Sequence, residues 1–138
     1  FKDDLASYQE RCRVIAHTEM PIPHLAISVN HCPEARASEA SVVAAQAADS
    51  LINITDISVG VVLTDFGNGD ISVSARSDGS INVQVIMEEL GGGGHQTVAG
   101  VQLHGASVDD VKRQIIELTQ QQMEEAKEKN KDESNLTD

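Results

Sequence analysis

The sequence predicts an α/β fold: a mixed central sheet of about four or five strands with helices packed on it. Segments with apolar residues at helical spacing alternate with short β-rich segments along most of the 138 residues. A glycine-rich turn between two β-rich segments announces a hairpin. The chain is 40% hydrophobic and only 2% aromatic, with no Trp, so its core is aliphatic and rich in alanine. The length fits one domain.

The first helix is expected from Asp4 to about Thr18, where Leu5, Tyr8, Cys12 and Ile15 fall on one stripe, and Pro21 and Pro23 end it. His24 to Val29 is a short apolar strand. Ala37 to about Leu51 is a second helix, with Ala40, Val43, Ala44, Ala47, Ala48 and Leu51 on one face; alanines this small suit close packing on a sheet. Ile57 to Thr64 is a buried strand, followed by the turn Phe66-Gly67-Asn68-Gly69-Asp70. From Ile71 to Arg76 the pattern alternates, with Ile71, Val73 and Ala75 on one side and Ser72, Ser74 and Arg76 on the other. Ser77 to Ser80 is a turn. A short helix carries Val83, Ile86, Met87 and Leu90, with Gly91 at its C-terminal cap. Thr97 to Leu103 is the next strand. Ser107 caps a last helix, with Asp109 and Asp110 in its first turn and Val108, Val111, Ile115 and Leu118 on its buried stripe. The expected organisation is a linker helix over residues 1–23, a binding domain over 24–122 and a charged, disordered tail over 123–138.

The formal net charge of −12 argues against a broad footprint for duplex DNA or long RNA. An anionic ligand needs a local site. Cys12 and Cys32 fit a reduced, cytoplasmic protein or a single disulfide. No signal peptide and no bilayer-spanning run stands out. The histidines His17, His24, His31 and His104 have no metal-ligand spacing, the His31-Cys32 pair is a poor zinc half-site, and no Gly-x-Ser-x-Gly elbow occurs.

The local site is announced by Leu90-Gly91-Gly92-Gly93-Gly94-His95. Four side-chain-free residues let backbone amides crowd around an anion, more than a plain turn requires. His95 and Gln96 stand where a Walker A loop has Lys and Ser or Thr, and the glycines follow a helix rather than open one, so neither a P-loop nor a dinucleotide fingerprint fits. Arg76 is the only Lys or Arg between Arg36 and Lys112, and its planar fork suits phosphate or carboxylate; the alternative is an ion pair with one of many acids. Ser77 offers a hydroxyl to the same anion or to its own turn. Asn82 either reads a base or sugar edge or caps the short helix. His95 can donate to phosphate or stack on a base.

The run Ser74-Ala75-Arg76-Ser77, Asn82-Val83-Gln84, Met87-Glu88 and Leu90 through His95 resembles the DHHA1 domain of DHH-family phosphoesterases, most closely the GdpP-type cyclic-di-AMP phosphodiesterases of Gram-positive bacteria. Ala44-x-x-Ala47-Ala48-Asp49-x-Leu51 looks like the same domain's helix, and Ala99-Gly100-Val101-Gln102 like its closing strand, with Gly100 a mild variation on an Ala-Ala run. The resemblance covers roughly residues 24–120. It implies that Arg76, Ser77, Asn82, Gly91, Gly92, Gly93, Gly94 and His95 hold a cyclic dinucleotide or short oligonucleotide. It also implies that manganese and the catalytic groups belong to a DHH domain of the same parent chain, whose Asp-His-His motif is missing here. A cytoplasm-facing domain of a membrane-anchored parent, and a homodimer, are compatible with the resemblance. The alternatives are an oligoribonuclease or RecJ-like exonuclease of the same superfamily, and a non-enzymatic RNA-binding module like the related domain of alanyl-tRNA synthetases. A purely structural partner domain, with the glycines as a turn, is the remaining alternative.

Overall fold

A computed structural model describes residues 4–136. Helix α1 (Leu5–Ala16) leads to strands β1 (Glu19–Ile22) and β2 (Leu25–His31). A single 3-10 turn (Glu34–Arg36) enters helix α2 (Ala37–Leu51). Strands β3 (Val59–Asp65) and β4 (Asp70–Ser77) form the hairpin. Helix α3 (Val83–Glu89), the two-residue strand β5 (Gly93–Gly94), strand β6 (Val98–His104) and helix α4 (Val108–Leu136) complete the order. The six strands form one sheet in the order β1-β2-β3-β4-β6-β5. Only the β2–β3 pair is parallel, joined by the α2 crossover.

The alternating strands give the sheet two buried faces. Leu25, Ile27, Val59, Val61, Leu63, Ile71, Val73, Ala75, Ala99 and Val101 point to the side covered by α3 and α4, where Ile86, Met87, Val111 and Ile115 complete one core. Ala26 and Val62 point to the other side, where Val43, Ala44, Ala47, Ala48 and Leu51 of α2 and Val14 of α1 pack on them. The alanine face of α2 is buried at every position expected. It seats on a bare spot: a Cβ at Gly60 would stand 2.8 Å from Leu51 Cβ and 3.0 Å from Ala48 O.

Four expectations change. The sheet has six strands rather than four or five, because β1 and β5 are too short to show a period. Pro21 sits inside β1, at the edge of the sheet, where a missing N–H breaks no ladder. The stripe expected on α1 is not its packing face: Leu5, Tyr8 and Cys12 are exposed, Ile15 is half-buried, and the buried residue is Val14, whose carbonyl accepts from Ser28 Oγ at 2.6 Å. The charged segment after Met123 continues α4 to Leu136 instead of fraying. No Gly or Pro follows Gly105, and Glu, Gln, Lys and Ala keep the helix going without a core contact. The ends of the linker and tail assignments, residues 1–3 and 137–138, lie outside the described residues.

Candidate functional site

Cross-strand partners share a face, so the register tracks each row of side chains across the sheet. On the α2 side one row runs Ser28, Val62, Ser74, Gly100, Gly93, a second Ala26, Gly60, Arg76, Val98, and a third Asn30, Thr64, Ser72, Gln102. Each row is buried under α1 and α2 at β2 and β3 and opens to solvent towards β6: Ala26 is fully buried, whereas Val98 is 44% exposed. Helix α2 thus covers half of this face and leaves a shelf of small or polar residues over β4, β6 and β5. Arg76 and Gly93 both stand on that shelf.

Arg76 is less exposed than a polar-face arginine at a strand end is expected to be. Its side chain is 13% exposed and passes beside α2, where Nε donates to Asp49 Oδ1 at 2.8 Å. Nη1 donates to its own strand at Ala75 O, 3.0 Å away. These bonds fix the guanidinium plane and leave Nη2 without a partner among the described residues. Ser77 lies on the opposite side of the strand and is 3% exposed. Its Oγ donates to Ile81 O at 2.5 Å and accepts from Gly79 N at 3.0 Å. Of its two sequence readings, the turn is the one the geometry displays, and its hydroxyl is not presented on the shelf.

The four glycines do different jobs. Gly92 N donates to Met87 O and Gly91 N to Glu88 O, the paired bonds of a Schellman cap, with Gly91 at φ +92°. A Cβ at Gly92 would run into Gly100 O and would stand 2.5 Å from Val101 Cβ. Gly94 has φ +140°, and a Cβ there would lie 2.5 Å from Val98 O. Gly91, Gly92 and Gly94 are therefore required to end α3 and lay β5 against β6. Gly93 has neither constraint: nothing stands within 4 Å of where its Cβ would be, and it faces the shelf. The expected open, amide-lined loop is instead a cap and a strand, with one bare position left over.

His95 N donates to Val98 O at 2.7 Å and closes the turn into β6, while the ring is exposed and makes no hydrogen bond among the described residues. The turn is fastened from both sides: Ser77 N donates to Thr97 O, and Val83 N to Gln96 O. Asn82 caps α3, its Oδ1 accepting from Gln84 N at 3.0 Å and Val85 N at 3.3 Å. Gln122 of α4 brackets its backbone, Oε1 accepting from Asn82 N and Nε2 donating to Asn82 O. Asn82 thus aligns α3, which delivers the glycines. Asp49 and Gln122 escaped sequence reasoning because their partners lie 27 and 40 positions away, and no local pattern signals such pairs.

The described residues contain no cluster of three or more His, Cys, Asp or Glu able to hold a metal ion, so this part of the chain does not fit a manganese centre. Clefts of about 680 and 560 Å³ lie beside α1, one lined by Glu10, Cys32 and Arg36, the other by Arg13, His17 and Lys112. No shelf residue lines either cleft. Near the shelf, hydrogen bonding by the Ser80 side chain holds the Asp78 carboxyl below its ordinary range, with Ser80 N and Ser58 adding to the effect.

The family model for the DHHA1 domain matches residues 29–125. The chain belongs to the DHHA1 family. It is 37% identical over 115 residues to the cyclic-di-AMP phosphodiesterase PdeA of Listeria monocytogenes, covering 83% of this chain and 17% of the relative. It is 35% identical over 116 residues to the cyclic-di-AMP phosphodiesterase GdpP of Geobacillus thermodenitrificans, covering 84% and 17%. This DHHA1 chain therefore spans about a sixth of the length of these curated relatives. Among solved structures, an exopolyphosphatase-related protein from Bacteroides fragilis superposes with a TM-score of 0.68 over 88% of this chain and 37% of its own, at 15% identity, which shows a shared fold. No described helix is long and apolar enough to cross a membrane.

Proposed function

We propose that this DHHA1 chain is the substrate-binding part of a phosphodiesterase acting on cyclic-di-AMP or a related short nucleotide, inactive without a DHH domain that holds the manganese ions. The observation that carries this reading is the placement of Arg76 and Gly93 on one open shelf of the sheet, beside the exposed ring of His95. Arg76 offers an unpaired Nη2 to a phosphate oxygen. Gly93 lets the ligand approach the backbone, and His95 donates to the phosphate or stacks on the base. Similarity to two cyclic-di-AMP phosphodiesterases over more than four-fifths of this chain supports the choice of substrate class. In this reading the chain's work is orientation and charge neutralisation.

The shelf is walled on one side only, by α2, so the ligand stays largely wet until a second domain closes on it. The exposed apolar strip of Leu5 (70%) and Tyr8 (50%) on α1 is assigned to the join with the DHH domain or to a second copy. The parent is expected to be membrane-anchored, with this domain on the cytoplasmic side. The test has two parts. The chain alone should show no hydrolysis of cyclic-di-AMP with manganese and should bind it with a dissociation constant of about 100 μM or weaker. The chain joined to its DHH domain should hydrolyse cyclic-di-AMP. Faster cleavage of linear dinucleotides by the joined enzyme would move the reading to an oligoribonuclease. Salt-sensitive tRNA retention on filters, with no hydrolysis by the joined enzyme, would favour an RNA-binding module.

A further inference from the structure

We propose that Asp49 is the positioning residue of the anion site and tunes it to singly charged phosphodiesters over doubly charged phosphomonoesters. The proposal rests on the assignment of Arg76 to phosphate and goes further, to the charge class of ligand that Arg76 accepts. Asp49 sits in the last turn of α2, the helix that walls the shelf, and its side chain is 61% exposed. One carboxylate oxygen, Oδ1, takes the Nε–H of Arg76, and Oδ2 has no partner among the described residues. With Nε on Asp49 and Nη1 on Ala75 O, the guanidinium is held at two of its nitrogens, and Nη2 has no partner among the described residues. Bare Gly60, opposite Arg76 on β3, lets α2 sit close enough to the sheet for this contact.

The charge consequence follows from the same geometry. Arg76 and Asp49 form a pair of zero net charge, and no other Lys or Arg occurs between Arg36 and Lys112. A phosphate arriving at Nη2 therefore meets an attractive guanidinium and, just behind it, a repelling carboxylate. A diester carries one negative charge and satisfies the arginine. A monoester near neutral pH carries close to two, and its second charge adds to the repulsion from the Asp49 carboxylate. The bland alternative is that the pair only fastens α2 to β4.

The probes are adenosine 5′-monophosphate and its methyl ester, which differ by one charge and one methyl group. Each is titrated at pH 7.5 and low salt into the 138-residue chain, with shifts followed at Gly93, His95 and the Arg76 Nε–H. The wild type should bind the methyl ester more tightly. Asp49→Asn keeps an acceptor but removes the charge, and should improve monophosphate binding by on the order of threefold relative to the ester. Asp49→Ala should weaken both ligands and release the Arg76 Nε–H signal from its hydrogen-bonded position. The proposal is overturned if Asp49→Asn changes both affinities by the same factor. It is also overturned if Asp49→Ala binds both ligands like the wild type while its melting temperature falls, which would leave only the fastening role. A wild type in which neither probe moves Gly93, His95 or Arg76 would remove the phosphate assignment itself, and the proposal with it.

Discussion

The two faces of the sheet are built from the same strands and meet different fates. On the α3–α4 side the row Ile27, Val61, Ala75, Ala99 is buried across β2, β3, β4 and β6, none of the four being more than 5% exposed. On the α2 side the neighbouring row starts with Ala26 at 0% and ends with Val98 at 44%. A continuous aliphatic row is a core and tolerates little change. A row that turns polar and bare halfway across is a surface left for something else. Here the change occurs at β4, where alternation puts Ser72, Ser74 and Arg76 on the α2 side at the margin of that helix's cover, with Arg76 bonded to Asp49. The same alternation that secures one face therefore places Arg76 and the small polar residues beside it on the other.

Adjacent glycines give the largest contrast between the faces. Gly92 faces the covered side, against Gly100 O and Val101. Gly92→Ala should lower stability by about 1–3 kcal/mol through overpacking, read as a shifted urea midpoint. Gly93→Ala should change stability by less than about 0.5 kcal/mol, since its methyl group meets open space. That methyl would still stand on the shelf and should weaken cyclic-di-AMP binding roughly tenfold, about 1.4 kcal/mol. Equal stability losses for the two variants would mean that the faces do not differ at β5.

Arg76→Ala probes the boundary between the faces. Joined to the DHH domain, the variant should lose about ten- to a hundredfold in kcat/KM, the range for a lost charge-assisted contact of about 1.5–3 kcal/mol. Because the side chain is only 13% exposed and paired with Asp49, a stability loss of about 1 kcal/mol should accompany it. Arg76→Lys should restore catalysis in part, keeping the charge without the fork. Unchanged kinetics with a lowered melting temperature would make Arg76 a part of the covered face only.

What could be read from the sequence follows the range of the interactions. The periodic elements α2, β3, β4, β6 and the start of α4 were legible because their burial pattern repeats within a few residues. The strand β5 was not, because two glycines carry no pattern, and its existence depends on β6 lying alongside. The Schellman cap at Gly91 was legible from local chemistry, whereas the clash that requires Gly92 involves Gly100 and Val101 and was not. The shelf was half legible: alternation placed Arg76 opposite the apolar side, but only the seating of α2 on Gly60 decides how far that side is covered. Asp49, 27 residues from Arg76, was visible as part of a familiar helix and not as a partner. Asn82 and Ser77 each had two chemically sound roles in sequence, and the capping and turn bonds are the ones the fold displays.

The smallest expected effect lies at the turn that carries the chain from the shelf strand β4 towards α3. Asp78 Oδ1 accepts from Ser80 N at 2.9 Å and Ser80 Oγ at 2.6 Å, while Asp78 N donates to Ser58 O at 3.0 Å. The Ser80 hydroxyl bond is the largest cause of the lowered Asp78 pKa, and lowering means that the folded state favours the charged carboxylate. The resulting stability is present above the unfolded value of about 3.9 and is lost as pH falls through the lower folded value. Asp78→Asn should therefore cost no more than about 0.5 kcal/mol at pH 7, because the side chain is exposed and the amide oxygen still accepts. The difference from wild type should begin to shrink as pH drops below about 4, where the unfolded chain's Asp78 takes up its proton, and should be gone once pH has passed the lower folded value. Urea denaturation at pH 7 and pH 3 reads the effect. An unchanged difference at both values would trace it to turn geometry rather than charge. Cyclic-di-AMP binding should not respond at pH 7, since Asp78 spends its carboxylate within the turn; a response would extend the shelf beyond Arg76 into the loop that follows.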